Sequence, residues 1–445
     1  MVRESAFVNW TNESVIKFAK GKDPINAVSE HAELLVLKAL EHGWKGPPYD
    51  PFELAQLLRI SVVPKDNVGE ARTIAGDRGK FVIEFNPRLP ASRIRFSIAH
   101  EIAHTFFSDC LERARYRATR NTYRDDDWQL EMLCNIGAAE MLMPTGSFAS
   151  LRDEGYDINH LLDVRKQFGV SSEALLIRVV KLAHSPIACF AMSHRAGQLR
   201  LDYLVASRAW NISAGRIAAE DHAVTSQCTA IGYTAKGNET WDISGQRTPV
   251  YIQALGLPPY PGSEKIRVTG LVRAKSGEEQ EVPGIQYRHG NALEPQGAGK
   301  KVLAHLVNDQ TSRWGGAGFA AALKEQMPQI QDDFKEWAFA HKDEFRLGNT
   351  HISMAGDDLA VASMIAQHGY GPSDRPRIRY ASLEKCLQQL AKYAVSEART
   401  VHMPLIGTGY AGGDWAVIEE LIEQKVCSMG VTVTVYKLPH RPTRQ

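Results

Sequence analysis

Residues 94–104 read Ile94-Arg95-Phe96-Ser97-Ile98-Ala99-His100-Glu101-Ile102-Ala103-His104. The run is helical and apolar apart from its central charged group. Two histidines four apart project from one face of a helix, so the imidazoles of His100 and His104 can converge on one zinc ion. Glu101 between them lies close enough to activate a metal-bound water. A catalytic zinc also needs a third protein ligand and an open position for water. The next helical stretch, Trp128 to Met143 before the stop at Pro144, supplies two glutamates, Glu131 and Glu140.

HEIAH followed by E-x-x-C-N-x-x-A-A-E-M-L-M-P resembles the ImmA/IrrE family of bacterial zinc metallopeptidases, and the upstream YDPFELAQLLRISV and RIRFSIAHE fit the same pattern. The resemblance runs over residues 30 to 184. It implies an α+β, zincin-like peptidase domain spanning 1–184, with His100, His104 and Glu131 as metal ligands and Glu101 as general base. Glu140 is the second choice for third ligand, against a role within its own helix or in supporting a ligand histidine. Family members cut transcriptional repressors or antitoxin-like partners with helix-turn-helix domains, often under stress. The resemblance therefore implies a protein substrate of that kind, supplied by a separate chain.

Working outward, His31 to Ile60 reads as two helices broken at Gly46-Pro47-Pro48, with Asp50 capping the second. Ser61 to Val63 and Lys80 to Phe85 read as short strands. Two helices around HLLDVRKQF and SSEALLIRVVKLA finish the first unit. Cys110 and Cys134, close to the metal motifs, read as buried inert thiols. The polar run Asn121 to Asp127 reads as a solvated loop.

Beyond Pro186, alternating segments such as QLRLDYLV, TPVYIQAL and KIRVTGLV lie between Gly, Pro, Asn and Ser clusters, among them GLPPYPGS. They predict a β-rich middle domain over 185–282, a packing or sensor module. Over 283–445 strands and helices alternate, the pattern of an α/β sheet covered on both faces. Two glycine-rich turns, Trp314-Gly315-Gly316-Ala317-Gly318 and Pro404 to Trp415, each follow a strand and open a helix. Such turns let backbone amides approach phosphate oxygens at a helix N-terminus.

These two loops, preceded by Gly290-Asn291-Ala292, resemble the macro domain, an α/β/α fold with a mixed sheet that binds ADP-ribose. The likeness is closest to the branch that removes ADP-ribose from DNA bases or acidic side chains. It implies that Asn291 meets the adenine amino group, that Gly315, Gly316 and Gly318 approach the distal ribose, and that Gly407, Thr408, Gly409, Tyr410, Ala411 and Gly412 cradle the diphosphate. At the position of that branch's catalytic lysine stands Gln367, which cannot form an imine. Ala411 stands where an acidic partner is expected. Binding without turnover is the preferred reading, against hydrolysis through a water activated by Asp414 or His368. Trp314 and Trp415 read as core.

The 445 residues carry 52 Lys+Arg against 51 Asp+Glu, which excludes a whole-chain basic footprint for nucleic-acid backbones. Hydrophobic residues make up 44% and charged residues 23%, which excludes a disordered composition. No apolar run reaches membrane-spanning length, and the N-terminal stretch lacks a signal-peptide core. Six scattered cysteines form no Cys-x-x-Cys pair, so a reducing cytoplasm is the expected home. The combined expectation is a zinc endopeptidase coupled to ADP-ribose sensing. The alternative is an ADP-ribosyl hydrolase acting on modified protein or nucleic acid, with the peptidase fold as scaffold.

Overall fold

The computed structural model describes residues 10–76, 80–110, 126–148, 156–195, 197–207, 209–210, 217–259, 264–274, 284–314, 316–371 and 373–438. The chain forms two compact units. The first comprises residues 1–33, 45–144 and 150–281, and the second residues 34–44, 145–149 and 282–445.

In the first unit, helices α1 (Glu13–Ala19), α2 (Pro24–Glu41) and α3 (Pro51–Leu57) come first, and the later part of α2 belongs to the second unit. Asp50 caps α3 as its sequence predicts, accepting from the Phe52 amide at 2.9 Å. Strands β1 (Ser61–Pro64), β2 (Ala71–Ala75) and β3 (Phe81–Phe85) make a small sheet in the order β1-β3-β2. β3 runs parallel to β1 and antiparallel to β2. Helix α4 (Ala91–His104) packs on this sheet and on α5 (Asp127–Leu142). Ile98, Ala99, Ile102 and Ala103 of α4 are fully buried, and so are Leu133, Cys134, Ala138 and Met141 of α5. This apolar burial is the main force holding the two helices together.

Helices α6 (Ile158–Phe168) and α7 (Ser172–Leu182) have their first turns capped by Asp157 and Ser171. They lead into a six-stranded antiparallel sheet: β4 (Ala188–Arg195), β5 (Gln198–Ala206), β6 (Ile217–Ala219), β7 (Thr234–Ile243), β8 (Gln246–Leu257) and β9 (Arg267–Ala274), ordered β5-β4-β9-β8-β7-β6. The β-rich segment is joined to the helices before it. Arg267 forms a two-pronged pair with Glu173 of α7, at 3.0 and 2.9 Å, and the Gln253 side chain accepts from the Ile158 amide at 3.0 Å.

The second unit is built on a six-stranded sheet of β10 (Ile285–His289), β11 (Lys301–Asn308), β12 (Thr350–Met354), β13 (Leu359–Gln367), β14 (Thr400–Pro404) and β15 (Val433–Lys437), ordered β10-β15-β14-β11-β13-β12. Every neighbour pair is parallel except β12 with β13, so the sheet is mixed. Both faces of β11 and β13 are buried. Val302, Ala304, Ala362 and Met364 join the layer of α10 (Tyr380–Ser396) and α11 (Trp415–Lys425). Leu303, Val307, Val361 and Ile365 join the layer of α8 (Gly318–Gln326) and α9 (Pro328–Ala340). Central strands buried on both faces read as continuous apolar runs, which is how VLAHLVN and LAVASMIAQ stand in the sequence. Among the described residues no helix is long and apolar enough to cross a membrane.

Candidate functional site

The last two turns of α4 and the first two of α5 bring three ligand atoms together. His100 Nε2 lies 3.1 Å from His104 Nε2 and 3.1 Å from Glu131 Oε2, and His104 Nε2 lies 3.6 Å from the same carboxylate oxygen. A tetrahedral cation with bonds of about 2.0–2.1 Å would space its ligands about 3.3–3.4 Å apart. The triangle fits such an ion. The Asn135 side-chain oxygen accepts from His100 Nδ1 at 2.9 Å, so an Nε2 that has lost its proton would direct its lone pair at the cluster.

Electrostatics agree with the geometry. Burial raises the Glu131 carboxyl, but hydrogen bonds from His100 and His104 and their charge outweigh it and hold the group well below the usual carboxylate range. Burial depresses His100, and the Glu131 hydrogen bond with the charges of Glu101 and Glu131 outweighs it, so the net direction is upward. A half-buried anion facing two imidazoles is a place for positive charge. The residues present fit a divalent metal.

Glu140 lies elsewhere. Its carboxylate pairs with Arg178 at 3.2 Å and Lys181 at 3.5 Å. Burial raises it, and those two cations outweigh burial and hold it down. Nine residues separate Glu131 from Glu140, which is two and a half helical turns, so the two carboxylates leave α5 on opposite sides. That spacing was available in the sequence. Glu101 sits on the strand side of α4, where Thr73 of β2 donates to its Oε2 at 2.7 Å. Cys110 and Cys134 are buried, as are the other four cysteines. In the polar run 121–127, residues 121–125 lie outside the described residues, and Asp127 begins α5.

In the second unit the glycine loops leave the carboxyl ends of β11 and β14, the end of an α/β sheet where ligands bind. Gly407 has φ +75°, and an added Cβ would stand 2.7 Å from Ile378 Cδ1 and 2.9 Å from Ile418 Cδ1, so only glycine fits. The turn closes through the amides of Gly412, donating to Gly409 O at 2.9 Å, and Gly413, donating to Gly407 O at 2.8 Å. Thr408 Oγ1 donates to Leu405 O, and the Ala411 carbonyl accepts from the amides of Arg377 and Ile378. Tyr410 stands 82% exposed on this loop. Gly316 and Gly409 have open space where a side chain would be, and Gly318, with φ +61°, opens α8. Gly315 lies outside the described residues. Asn291 follows β10, and its side-chain oxygen accepts from the Leu293 amide at 3.1 Å.

The three candidate catalytic groups of this unit differ in what they already hold. Gln367 donates through Nε2 to Gly369 O at 2.8 Å. Asp414 caps α11, accepting from the Ala416 amide at 2.9 Å. His368 is half exposed and pairs through Nδ1 with Asp309 at 2.8 Å, while the other oxygen of Asp309 accepts from the Gly369 amide. Asp309 carries no signal in the sequence, because it reaches His368 across adjacent strand ends. Trp314 is core, 4.8 Å from the His305 ring, and Trp415 donates to the Tyr287 hydroxyl at 2.8 Å.

Comparison with known proteins finds likenesses to each of the two regions. Residues 58–180 match the model of the IrrE N-terminal-like domain. The radiation response metalloprotease IrrE of Deinococcus deserti is 25% identical over 234 residues, 48% of this chain and 80% of that protein. The mouse chromodomain-helicase-DNA-binding protein 1-like is 28% identical over 177 residues, 38% of this chain; the chain spans only 19% of that protein's length. Among solved structures, a macrodomain protein from Streptomyces coelicolor is 33% identical, with 34% of this chain matching 98% of that one at a TM-score of 0.31.

Proposed function

We propose that this chain, which joins an IrrE N-terminal-like peptidase domain to a C-terminal macro domain, is a zinc endopeptidase whose action on a protein partner is coupled to ADP-ribose. The observation that carries the peptidase half is the convergence of His100, His104 and Glu131 at ligand spacing within the region matching the IrrE-like domain. In this reading those three residues hold zinc, and Asn135 fixes the His100 tautomer. Bound zinc supplies Lewis acidity, lowering the pKa of a water and polarising the scissile carbonyl. Glu101 takes the proton from the attacking water and hands it to the leaving amine. The substrate is a helix-turn-helix repressor in the cytoplasm, in keeping with the family likeness.

The macro unit, in the same reading, binds ADP-ribose or an ADP-ribosylated molecule. The loop Gly407 to Gly412, whose turn the Gly412 amide closes on Gly409 O, cradles the diphosphate, Gly315, Gly316 and Gly318 meet the distal ribose, and Asn291 meets the adenine. The amide oxygen of Asn291 already accepts one hydrogen bond, and its second lone pair is available for the adenine amino group. Retention without turnover is favoured by Gln367, which is not a nucleophile of the kind that forms an imine. A second reading, hydrolysis of the ADP-ribosyl bond, is favoured by one observation: the pairing of half-exposed His368 with Asp309, which orients an imidazole able to take a proton from water.

The test of the peptidase half is the Glu101→Gln variant. It should retain zinc by metal analysis and capture an intact partner that the wild-type chain cleaves; undiminished cleavage by the variant would remove Glu101 from the mechanism. Performing the capture with and without ADP-ribose reads the coupling. Calorimetric titration with ADP-ribose tests the macro half, where absence of heat at high ligand concentration sinks it. Release of free ADP-ribose from a modified protein by wild type, lost in His368→Ala, would shift the balance to hydrolysis.

A further inference from the structure

The edge strand β2 carries one buried residue, and it is polar. Thr73 is 8% exposed, while its neighbours along Ala71–Ala75 are half-buried or exposed. A buried hydroxyl costs free energy unless it finds a partner. Thr73 finds two, both on Glu101: Oε2 at 2.7 Å and the main-chain oxygen at 3.2 Å. That main-chain oxygen belongs to the last turn of α4, where carbonyls lack their helical amides; the Thr105 amide turns back to Ile102 O instead of reaching Glu101. One side chain thus touches both ends of a single residue, 28 positions away in sequence.

We infer that Thr73 is a positioning residue for the general base, an inference that rests on the role proposed for Glu101. A glutamate on a helix surface samples several rotamers, and a base works only within a narrow range of positions and angles. The Thr73 hydroxyl has one proton, and the shorter contact directs it to the carboxylate. With Oε2 tied to the strand, Oε1 is the oxygen left to take the proton of the attacking water. Pairing fixes the strand in turn: Thr73 stands opposite Ile83 of β3, which is fully buried, so the hydroxyl is carried by a strand locked to the core. Asn135 does the corresponding work on the other side of the cluster, but for a ligand. Metal affinity and catalytic rate therefore have separate supports.

The experiment compares Thr73→Val, which keeps the shape and removes the hydroxyl, with Thr73→Ser, which keeps the hydroxyl. Zinc-loaded wild type is given a proteome-derived peptide library, and the best-cut peptide becomes the substrate. Thr73→Val should lower kcat about 10–100-fold, the usual cost of losing an outer support of a metal site, with KM within about twofold and zinc affinity unchanged in competition with a chromophoric chelator. Thr73→Ser should stay within about threefold of wild type. A structural role would instead lower zinc affinity and melting temperature together. Full activity in Thr73→Val overturns the inference if Glu101→Gln is inactive; activity in Glu101→Gln overturns the reading on which it rests. Independently of any cleavage, zinc-loaded crystals decide the matter: Glu101 should hold one orientation in wild type and Thr73→Ser and lose it in Thr73→Val. An unmoved Glu101 in Thr73→Val overturns the role.

Discussion

Two pairs of histidines sit in opposite surroundings. His100 and His104 face Glu131 in the first unit, and His100 gains affinity for a proton from that neighbour despite its burial. In the second unit, burial alone pushes His305 down to about 3, and burial with the charges of Lys301 and Arg288 pushes His402 down to about 4. His305 bonds the Ser363 hydroxyl at 2.8 Å through Nε2, and its Nδ1 has no partner among the described residues. His402 lies between Thr400 and Tyr436. Burial by itself makes an imidazole neutral and structural; a carboxylate beside it converts the same side chain into half of a cation site.

The largest effect expected from this contrast is on acid stability. A histidine whose folded pKa lies below its unfolded value stabilises the fold fully above about pH 6.5 and loses that contribution as pH falls toward the folded value. For His305 and His402 the window runs from about pH 6.5 down to about 3–4, so the second unit should lose on the order of 6 kcal/mol by pH 4, at roughly 1.4 kcal/mol per pKa unit for each histidine. Glu41, whose carboxyl burial pushes up, works in the opposite sense and trims the loss. Denaturant melts at stepped pH would measure this, and the double variant His305→Phe with Ser363→Ala should flatten the curve. A curve as steep as wild type in that variant would break the comparison.

Smaller is the expected effect of Asn135→Ala on the other pair. Releasing His100 Nδ1 should weaken zinc about 10–100-fold, or about 1.4–2.7 kcal/mol, with activity recovered at saturating metal. Unchanged affinity in a chelator competition would mean that Glu131 alone orients the imidazole. At the small end lie the glycines of the loop proposed to cradle a diphosphate. Gly407→Ala meets Ile378 and Ile418 in a left-handed backbone and should cost about 1–3 kcal/mol of second-unit stability, whereas Gly409→Ala meets nothing and should change melting by under about 0.5 kcal/mol while weakening ADP-ribose. Equal melting of the two would remove the distinction between a glycine needed by the fold and one kept open for a ligand.

The helix that carries HEIAH was legible because its motif and its period coincide: the helical repeat alone places both imidazoles on one side. The glycine loops were legible because backbone chemistry leaves glycine as its mark. What escaped were features without a local signature. The short strand ARTIA carries no alternation, so β2 and its Thr73 were missed, although Gly69 and Gly76 bracket it. β4 was missed because it is central and buried through Ala188 to Met192, an apolar run with no period. β7 hid for the reverse reason: one of its inward positions is Glu239, whose carboxylate accepts from the amides of Val224 and Thr225, the Thr225 hydroxyl and Trp241 Nε1. A fully bonded buried carboxylate reads in the sequence as a surface residue. The His305–Ser363 and His368–Asp309 pairs depend on strand register, which a sequence does not print.

Burial of all six cysteines has a consequence for oxidants. Burial is the main cause that lifts Cys228 to about 11 and Cys386 to about 12, and it drives Cys189 higher still. At neutral pH about one Cys228 in ten thousand is then a thiolate, and peroxide reacts with the thiolate. Oxidation through the thiolate should therefore be slow at Cys189, Cys228 and Cys386. A switch built on these thiols would have to open the core before an oxidant could work it.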